Sequence, residues 1–249
     1  MERVVERVLE EESAKREHVV VALAGSRGFG FPSKDSDWDL ECVHVIPSAK
    51  LLGLSQPTLT FDRVETIDGI EIDYTSNELG PFLSGALGGN GNYLERVLGR
   101  SFLVGSPLLD ELRPLVQRSL SRRAHRHYRG FAQGQLLALE KEPNIKKLLY
   151  VLRTALTGLH LLKAGELEPE LERLLEAHGP RDAMALLEAK RTGERFGADP
   201  KLLEEWRPRV GSVLDDLDAA LETSALPMEP PNVEEIEAWL LEVRRARLP

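Results

Sequence analysis

The sequence is poor in cysteine and has no long hydrophobic run. Cys42 is its single cysteine, so the chain offers no disulfide partner, and a reducing cytoplasm is the expected compartment. No apolar stretch approaches the roughly 18 residues that a membrane span requires, so no membrane association is expected. The first residues are rich in Glu and Arg, unlike a secretory signal. Basic residues number 32 against 41 acidic ones, for a net charge of −9, which disfavours tight nonspecific binding to nucleic acid.

A short apolar strand is predicted to end at a glycine-serine turn. Residues 18–24 have the β-branched, apolar pattern of a buried strand, and Gly25 and Ser26 follow them. Glycine permits a sharp turn whose N–H groups face an anion, and the Ser26 hydroxyl adds a donor. The turn is therefore a candidate triphosphate site. The glycines after it lack the G-x-G-x-x-G spacing of a dinucleotide fold, and no Walker lysine is present, so both of those phosphate-binding classes are disfavoured.

Asp37 and Asp39 are predicted to lie on one face of a second strand, because residues 37–45 alternate with period two. Two carboxylates this close repel each other unless a cation lies between them, and hard oxygen ligands suit Mg²⁺ or Mn²⁺. Paired ions about 3.5–4 Å apart can clamp the attacking and leaving oxygens of a phosphoryl displacement. A calcium loop is disfavoured, since Leu40 occupies the position that needs glycine. The remaining alternative is a solvated turn that includes Asp37.

A third carboxylate is expected on a β-hairpin. Residues 60–67 and 70–75 are two β-rich runs joined by an Asp-Gly pair, which is a strong hairpin signal. Glu71 and Asp73 share one face of the second run. Asp73 is the favoured ligand because it lies farther from the turn and so deeper in the sheet, whereas Glu71 is also explained as an exposed edge residue.

The strand, the Gly-Ser turn, the Asp-x-Asp strand and the later acid-bearing strand together resemble the DNA polymerase beta-type nucleotidyltransferase superfamily. The run from Gly25-Ser26-Arg27 to Ser36-Asp37-Trp38-Asp39 is similar to a bacterial branch of predicted nucleotidyltransferases, some associated with RNA repair, and the Asn-to-Glu segment at residues 92–95 also resembles that branch. The resemblance covers roughly residues 18–100. It implies metal binding by Asp37, Asp39 and Asp73, and phosphate contacts from Gly25, Ser26 and Arg27. Trp38 is bulkier than expected between the carboxylates and is predicted to pack in the core on the opposite face.

The second half of the chain is predicted to be helical, because its apolar residues recur with the 3.6-residue period. The predicted fold class is therefore α+β. A polymerase-beta-like catalytic domain, built from a small mixed sheet with flanking helices, is expected over residues 1–105, and an all-helical domain over residues 106–249. Helices are predicted at residues 2–16, 76–88, 91–99, 107–141, 144–164, 168–178, 180–193, 199–224 and 232–247.

Two groups of basic residues in the helical half are further candidates. Residues 112–139 contain six arginines and no acid, and helical spacing places several of them on one face. Candidate contacts for a triphosphate or a nucleic-acid backbone are Arg118, Arg122, Arg126 and Arg129. The alternative is a basic face that pairs with acidic helices of the same domain. On the next helix, Lys146 and Arg153 share a face and are candidate nucleotide contacts, the alternative being ordinary surface charge.

The sequence thus predicts a Mg²⁺- or Mn²⁺-dependent nucleotidyltransferase. It would transfer a nucleoside monophosphate from an NTP, with ATP the expected donor, to an acceptor hydroxyl and release pyrophosphate. The acceptor stays open between an RNA 3′ end, slightly favoured by the arginines, a protein hydroxyl and a small aminoglycoside-like alcohol. A nucleotide-binding module without turnover is a further alternative, although the retained carboxylates argue against it.

Overall fold

A mixed β-sheet organises the first half of the protein. The computed structural model describes residues 2–33, 36–191 and 200–248. Five strands lie within these residues: β1 (Glu17–Leu23), β2 (Trp38–Val45), β3 (Thr60–Ile67), β4 (Ile70–Glu78) and β5 (Phe102–Gly105). They pair in the order β3-β4-β2-β1-β5. The pairing of β2 with β4 is parallel, and the other pairings among these strands are antiparallel.

Helices flank this sheet and form most of the second half, so the fold is α+β, as predicted. The helices of the described residues are α1 (Arg3–Ser13), α2 (Gly25–Gly28), α3 (Ala49–Leu52), α4 (Leu79–Leu87), α5 (Gly91–Leu98), α6 (Pro107–Arg118), α7 (Ala124–Lys141), α8 (Ile145–Ala164), α9 (Leu171–His178), α10 (Ala183–Arg191), α11 (Pro200–Thr223) and α12 (Val233–Arg245). None of these described helices is long and apolar enough to cross a membrane.

The β3-β4 hairpin is confirmed. Its two strands pair in register from Thr60 opposite Asn77 to Ile67 opposite Ile70. The two turn residues, Asp68 and Gly69, have φ angles of 52° and 81°. Positive φ at both central positions is the requirement of a tight type I′ turn, and an Asp-Gly pair meets that requirement at little cost.

The two faces of the sheet carry different sets of side chains, because side chains alternate along each strand. Trp38 is 8% exposed and packs with Ile72 and Tyr74 against α1, so its predicted place in the core is confirmed. The intervening residues project from the other face. On that face, Asp39 of β2 lies directly opposite Asp73 of β4.

One large hydrophobic cluster joins the acid-bearing face of the sheet to the helices. It includes Val43 of β2 and Phe82 of α4 together with Leu149 and Leu156 of α8, all completely buried. The cluster therefore crosses position 105, where the sequence suggests a division between a catalytic and a helical domain. That division stays a prediction, and the apolar packing is continuous across it.

The single helix predicted over residues 107–141 is wrong. Helix α6 ends at Arg118 and α7 begins at Ala124. The Ser119 hydroxyl donates to the Val116 carbonyl at 2.8 Å, and the Arg122 N–H donates to the Pro227 carbonyl at 2.9 Å. Local capping and a contact with a distant segment thus satisfy backbone groups that a continuous helix would need. As a result, Arg118 does not share a helix with the arginines that follow it.

Other differences concern boundaries and short elements. Residues 76–78, predicted as the start of a helix, instead complete β4, and the Glu78 carboxylate caps α4 by accepting the Gly80 N–H at 2.7 Å. The elements α2, α3 and β5 have four residues each and were not predicted, because so few residues show no period. The predicted helical residues 192, 193 and 199 lie outside the described residues.

Helix α1 is tied to the sheet by a buried ionic network around Glu12. This side chain is 3% exposed. Lys15 Nζ and Arg63 Nη1 donate to its carboxylate at 2.9 Å each, and Arg16 also pairs with it. Arg16 continues to the Tyr74 hydroxyl on β4 at 2.8 Å. Burial raises the pKa of Glu12, but the three hydrogen bonds outweigh burial and lower that pKa to about 2.

Acid unfolding tests this network. The folded-state pKa of Glu12 is below its ordinary value of 4.5, so the ionised carboxylate stabilises the fold fully above pH 4.5, and this stabilisation is lost as the pH falls toward 2. We expect Glu12→Gln to lower the free energy of unfolding at pH 7 by about 3 kcal/mol and to flatten the loss at acid pH, as measured by urea unfolding. Glu10→Gln, at an exposed position of the same helix, is the control and should change stability by less than about 0.5 kcal/mol. An unchanged acid profile in Glu12→Gln would contradict the prediction.

Candidate active site

The glycine-serine turn lies against one of the predicted acidic ligands. Gly25 opens the one-turn helix α2 with φ of +58°. A Cβ atom at Gly25 would overlap Oδ2 of Asp39, so only glycine leaves room for that carboxylate. The Ala24 N–H also donates to the Asp39 carbonyl at 2.9 Å. The turn and the start of β2 are therefore joined through both backbone and side chain.

Ser36 and Asp37, which lie just before β2, are held by Ser26 and Arg27. The buried Ser26 hydroxyl donates to the Ser36 hydroxyl at 3.0 Å. Arg27 donates to the carbonyl oxygens of Ser36 and Asp37, at 2.8 and 3.1 Å, and its guanidinium carbon lies 4.2 Å from the Trp38 ring centroid. Arg27 thus braces the loop that carries Asp37. A phosphate contact from Arg27 stays a prediction.

The three predicted carboxylates differ in exposure. Asp39 and Asp37 are half-buried, whereas Asp73 is exposed. Burial raises the pKa of Asp39, and the negative charges of Asp73 and Asp37 raise it further, while Lys146 opposes them. Glu71 contributes less repulsion than Asp73 to the pKa of Asp39, which agrees with the register, where Asp73 and not Glu71 lies opposite Asp39.

The donor chemistry of this site fits a divalent cation. Carboxylate oxygens are the ligands that Mg²⁺ and Mn²⁺ prefer. Burial is the main cause of the raised pKa of Asp39, and the negative charges of Asp73 and Asp37 add to it. The coordination set is not assembled, because the described residues contain no group of three His, Cys, Asp or Glu side chains placed to hold an ion. The roles of Asp37, Asp39 and Asp73 as ligands therefore stay predictions.

Glu41 is a further acid of this face that the sequence reading did not single out. It follows Asp39 by two residues on β2, and its carboxylate pairs with Arg96 of α5. Burial raises the pKa of Glu41 to about 7; Arg96 opposes this shift, whereas Asp73 and Asp39 add to it. Arg96 is itself buried and also donates to Asn77. The same period-two alternation that places Asp37 and Asp39 on one face also places Glu41 there, so it could have been predicted from the sequence.

Helix α8 forms a wall beside the turn. Lys146 is exposed, and its positive charge acts on Asp39. One turn further along, burial raises the pKa of Tyr150 to about 12, with Asp39 adding to the shift. The Tyr150 ring packs edge-on against Phe31, with 5.4 Å between ring centroids. The helix thus brings a cation and a phenol close to the acidic strand.

Arg153 is not a surface charge, since it is only 2% exposed. Its Nη1 donates to both carboxylate oxygens of Glu95, each at 2.8 Å, and its guanidinium carbon lies 3.8 Å from the Phe29 ring centroid. Tyr128 donates a further hydrogen bond to Glu95 at 3.2 Å. The pair fixes α8 to α5, and Arg153 lines a cavity next to Gly25 and Asp39.

The arginines of the second half lie mainly against the C-terminal part of the chain. Arg118 pairs with Glu235, Arg129 pairs with Asp218 at 3.0 Å, and Arg122 donates to the Leu226 carbonyl at 2.9 Å. These contacts favour the alternative in which the basic face packs within its own domain. Arg126 lies at a surface depression that Arg122 and Arg123 also line. Nucleic-acid contact by these arginines stays a prediction.

The glycine turn contacts the acidic strand β2, and a second acidic strand, β4, pairs with β2 in register. This is the arrangement of a polymerase beta-like nucleotidyltransferase. The chain belongs to the RNA repair pathway DNA polymerase beta family (RlaP), which it matches over residues 1–242. The superfamily predicted from the motif is thereby confirmed.

The chain is also similar to a protein of known sequence and to a protein of known structure. A protein of Methanocaldococcus jannaschii, described as uncharacterized, is 26% identical over 227 residues, which cover 88% of this chain and 91% of that protein. The crystal structure of a nucleotidyltransferase-like protein from Exiguobacterium sibiricum matches with a TM-score of 0.35 and 13% identity, over 97% of this chain and 78% of that one.

The coupling between the facing acids can be measured in the metal-free protein. Asp73→Asn removes the negative charge opposite Asp39, so we expect the pKa of Asp39 to fall toward its ordinary value in a carboxyl ¹³C NMR titration. Glu71→Gln is the matched control, because it removes the same charge two residues along β4 and should lower that pKa less. An equal or larger effect of Glu71→Gln would contradict the prediction that Asp73 is the acid coupled to Asp39.

Proposed function

We propose that this protein transfers a nucleoside monophosphate from an NTP to an acceptor hydroxyl and releases pyrophosphate. The observation that carries the proposal is the register of β2 and β4, with Asp39 directly opposite Asp73 and in contact with the turn at Gly25. The RNA repair pathway DNA polymerase beta family, to which the chain belongs, supports the same reaction class.

The Gly25-Ser26 turn supplies the phosphate contacts in this proposal. The positive φ of Gly25 turns the backbone sharply after β1, so that N–H groups of the turn can meet phosphate oxygens at close range. Lys146 adds positive charge, since it is exposed and close enough to act on the pKa of Asp39. The hydrogen bonds from Arg27 keep the loop before Asp37 in place.

Asp37, Asp39 and Asp73 would hold Mg²⁺ or Mn²⁺, which when bound offsets the negative charge of the triphosphate and of the leaving pyrophosphate. Asp39 and Asp73 have different proposed roles because they differ in exposure. Asp39 is half-buried against Gly25, so in the proposed reaction it lies beside the phosphates of the donor nucleotide. Asp73 is exposed, so it meets the acceptor and takes the proton from its hydroxyl.

An RNA end is the acceptor that we propose, with ATP as the donor. Its support is the family, whose description names an RNA repair pathway. The arginines of the second half add little support, because Arg118, Arg122 and Arg129 contact the C-terminal part of the chain. A protein hydroxyl, an aminoglycoside-like alcohol and nucleotide binding without transfer are the alternatives that the next experiment separates.

Transfer of label from α-³²P-NTP tests the reaction. The protein is incubated with Mg²⁺ or Mn²⁺ and a mixture of cellular RNA, protein and small molecules, and the label in each fraction is counted. We expect labelled RNA with the unaltered protein and a loss of about a hundredfold or more with Asp37→Asn, because a carboxylate beside the transferred phosphate is removed. The control is Asp62→Asn, an exposed acid on β3, which should label normally.

The outcomes are distinct. Equal labelling by Asp37→Asn and the unaltered protein would refute the proposed reaction. Label in the protein or small-molecule fraction would replace RNA as acceptor. Bound nucleotide with no transferred label in any fraction would favour a module without turnover.

Glycine substitutions separate backbone strain from damage to the site. Gly25 and Gly30 both have positive φ, of 58° and 82°, so alanine at either position should cost about 1–2 kcal/mol of stability. A Cβ at Gly30 meets no described atom within 4 Å, whereas one at Gly25 must displace the Asp39 carboxylate. We expect similar urea unfolding of the two variants, but about a hundredfold less labelling by Gly25→Ala alone. Equal activity of the two variants would contradict a role for the contact between Gly25 and Asp39.

A further inference from the structure

Strand β3 forms one end of the sheet, and its outer edge is open. The strands of the described residues pair in the order β3-β4-β2-β1-β5, so β3 has β4 on one side and no described strand on the other. Among the backbone hydrogen bonds that the described residues form in turns and loops, none involves residues 60–67. An open edge of this kind presents N–H and C=O groups to which another strand can pair.

Several features that commonly protect an edge strand are missing from β3. The strand runs over the eight residues Thr60–Ile67 without a proline or a lysine, and its register with β4 contains no bulge. Val64, near its middle, is 65% exposed. The edge can therefore accept a partner strand along its whole length.

The hairpin turn decides which residues of β3 direct their backbone groups to the open edge. The two-residue turn closes with a hydrogen-bonded pair, Ile67 opposite Ile70. Hydrogen-bonded and non-hydrogen-bonded pairs alternate along an antiparallel ladder, so Thr66, Val64 and Asp62 form non-hydrogen-bonded pairs with β4. The N–H and C=O groups of these three residues therefore point outward.

The charges of β3 distinguish among the registers in which it could pair with its own copy. In a two-fold symmetric, antiparallel pair, one residue lies opposite itself. A centre at Asp62, Arg63 or Glu65 would set two like charges directly opposite each other, which is unfavourable. Centres closer to either end leave most of the strand unpaired. A centre at Val64 avoids both problems, and it also sets outward-pointing backbone groups opposite each other.

The register centred on Val64 produces matched side-chain pairs. Arg63 lies opposite Glu65 of the second copy, in a non-hydrogen-bonded pair, where side chains are closest. Phe61 lies opposite Ile67 of the second copy. Within one copy, Arg63 already donates to Glu65 at 2.5 Å, and both side chains are partly exposed. The two copies would therefore join these ion pairs into one network of four charged side chains.

We propose that β3 pairs with β3 of a second copy of this chain, antiparallel and centred on Val64, so that the dimer has one continuous sheet. The exposed Val64 is then covered by its own copy at the two-fold axis. Val64 lies opposite Asp73 on β4 and projects from the same face, so the acid-bearing faces of both copies open on one side. With about 4.8 Å between neighbouring strands, the Cα atoms of the two Asp73 residues would be about 14 Å apart.

Sedimentation velocity of the full chain tests the dimer. We expect a monomer–dimer equilibrium at micromolar concentrations, because a strand edge buries less surface than an obligate interface. Val64→Pro should raise the dimer Kd by about tenfold or more, since proline removes the outward N–H at the axis but no hydrogen bond of the hairpin. Val64→Thr keeps both the N–H and the β-branched side chain, so this matched control should dimerise like the unaltered protein.

A charge reversal gives a second, independent variant. Glu65→Lys sets a positive charge opposite Arg63 of the second copy and should also raise the dimer Kd. Arg63 itself is left unaltered because it holds Glu12. The charge-matched control is Glu222→Lys, at an exposed position of α11, which should leave the Kd unchanged. Thermal unfolding verifies that each variant is folded.

Cross-linking with a short bis-maleimide tests the register. The native Cys42 is completely buried, so the unaltered protein should not react. We expect Val64→Cys to link to its own copy, whereas Thr66→Cys should not, because position 66 lies opposite position 62 in the proposed register. A monomer at every concentration, an unchanged Kd in folded Val64→Pro and Glu65→Lys, or cross-linking of Thr66→Cys in preference to Val64→Cys would overturn the proposal.

Discussion

The repulsion between two carboxylates held side by side is the constraint on which the site depends. Parallel pairing of β2 with β4 sets Asp39 opposite Asp73, and half-burial of Asp39 strengthens the mutual repulsion by lowering the local dielectric. Among the described residues, no ion pair from the sheet relieves this repulsion, and the positive charge that opposes the rise in the pKa of Asp39 is that of the exposed Lys146 on α8. The hydrogen bonds of the sheet and the hydrophobic core around Trp38 therefore stabilise the two strands against this repulsion.

The surroundings of the acids are correspondingly rigid. Gly25 is in contact with the Asp39 carboxylate, where any side chain would exclude it. Arg27 donates to the carbonyls of Ser36 and Asp37. Farther along the same face, Arg96 neutralises Glu41, so the negative charge is concentrated at the start of β2. Under the proposed function, this concentrated charge is unfavourable alone and would become favourable when a cation and a nucleotide bind together.

The local parts of this arrangement could be predicted from sequence, because the turn and the two first acids are close along the chain and each has a recognisable pattern. The face of Trp38 and the β3-β4 hairpin followed from alternation and from an Asp-Gly turn. Other features depend on distant contacts that no local pattern contains. The break between α6 and α7 is stabilised by Arg122 donating to residues 226 and 227, and the burial of Arg153 requires Glu95 on another helix. Glu41 is a different case, since the alternating pattern contained it.

The pair of Glu95 and Arg153 joins the helical half to the candidate site. Glu95 lies on α5 and Arg153 on α8, on opposite sides of the predicted domain division, and both line the cavity that begins at Asp39. A buried ion pair is weak evidence for net stability, because desolvation offsets most of its attraction. Its directional hydrogen bonds, however, fix the position of a cavity wall. Removal of either partner would leave a largely buried, uncompensated charge in the wall of this cavity.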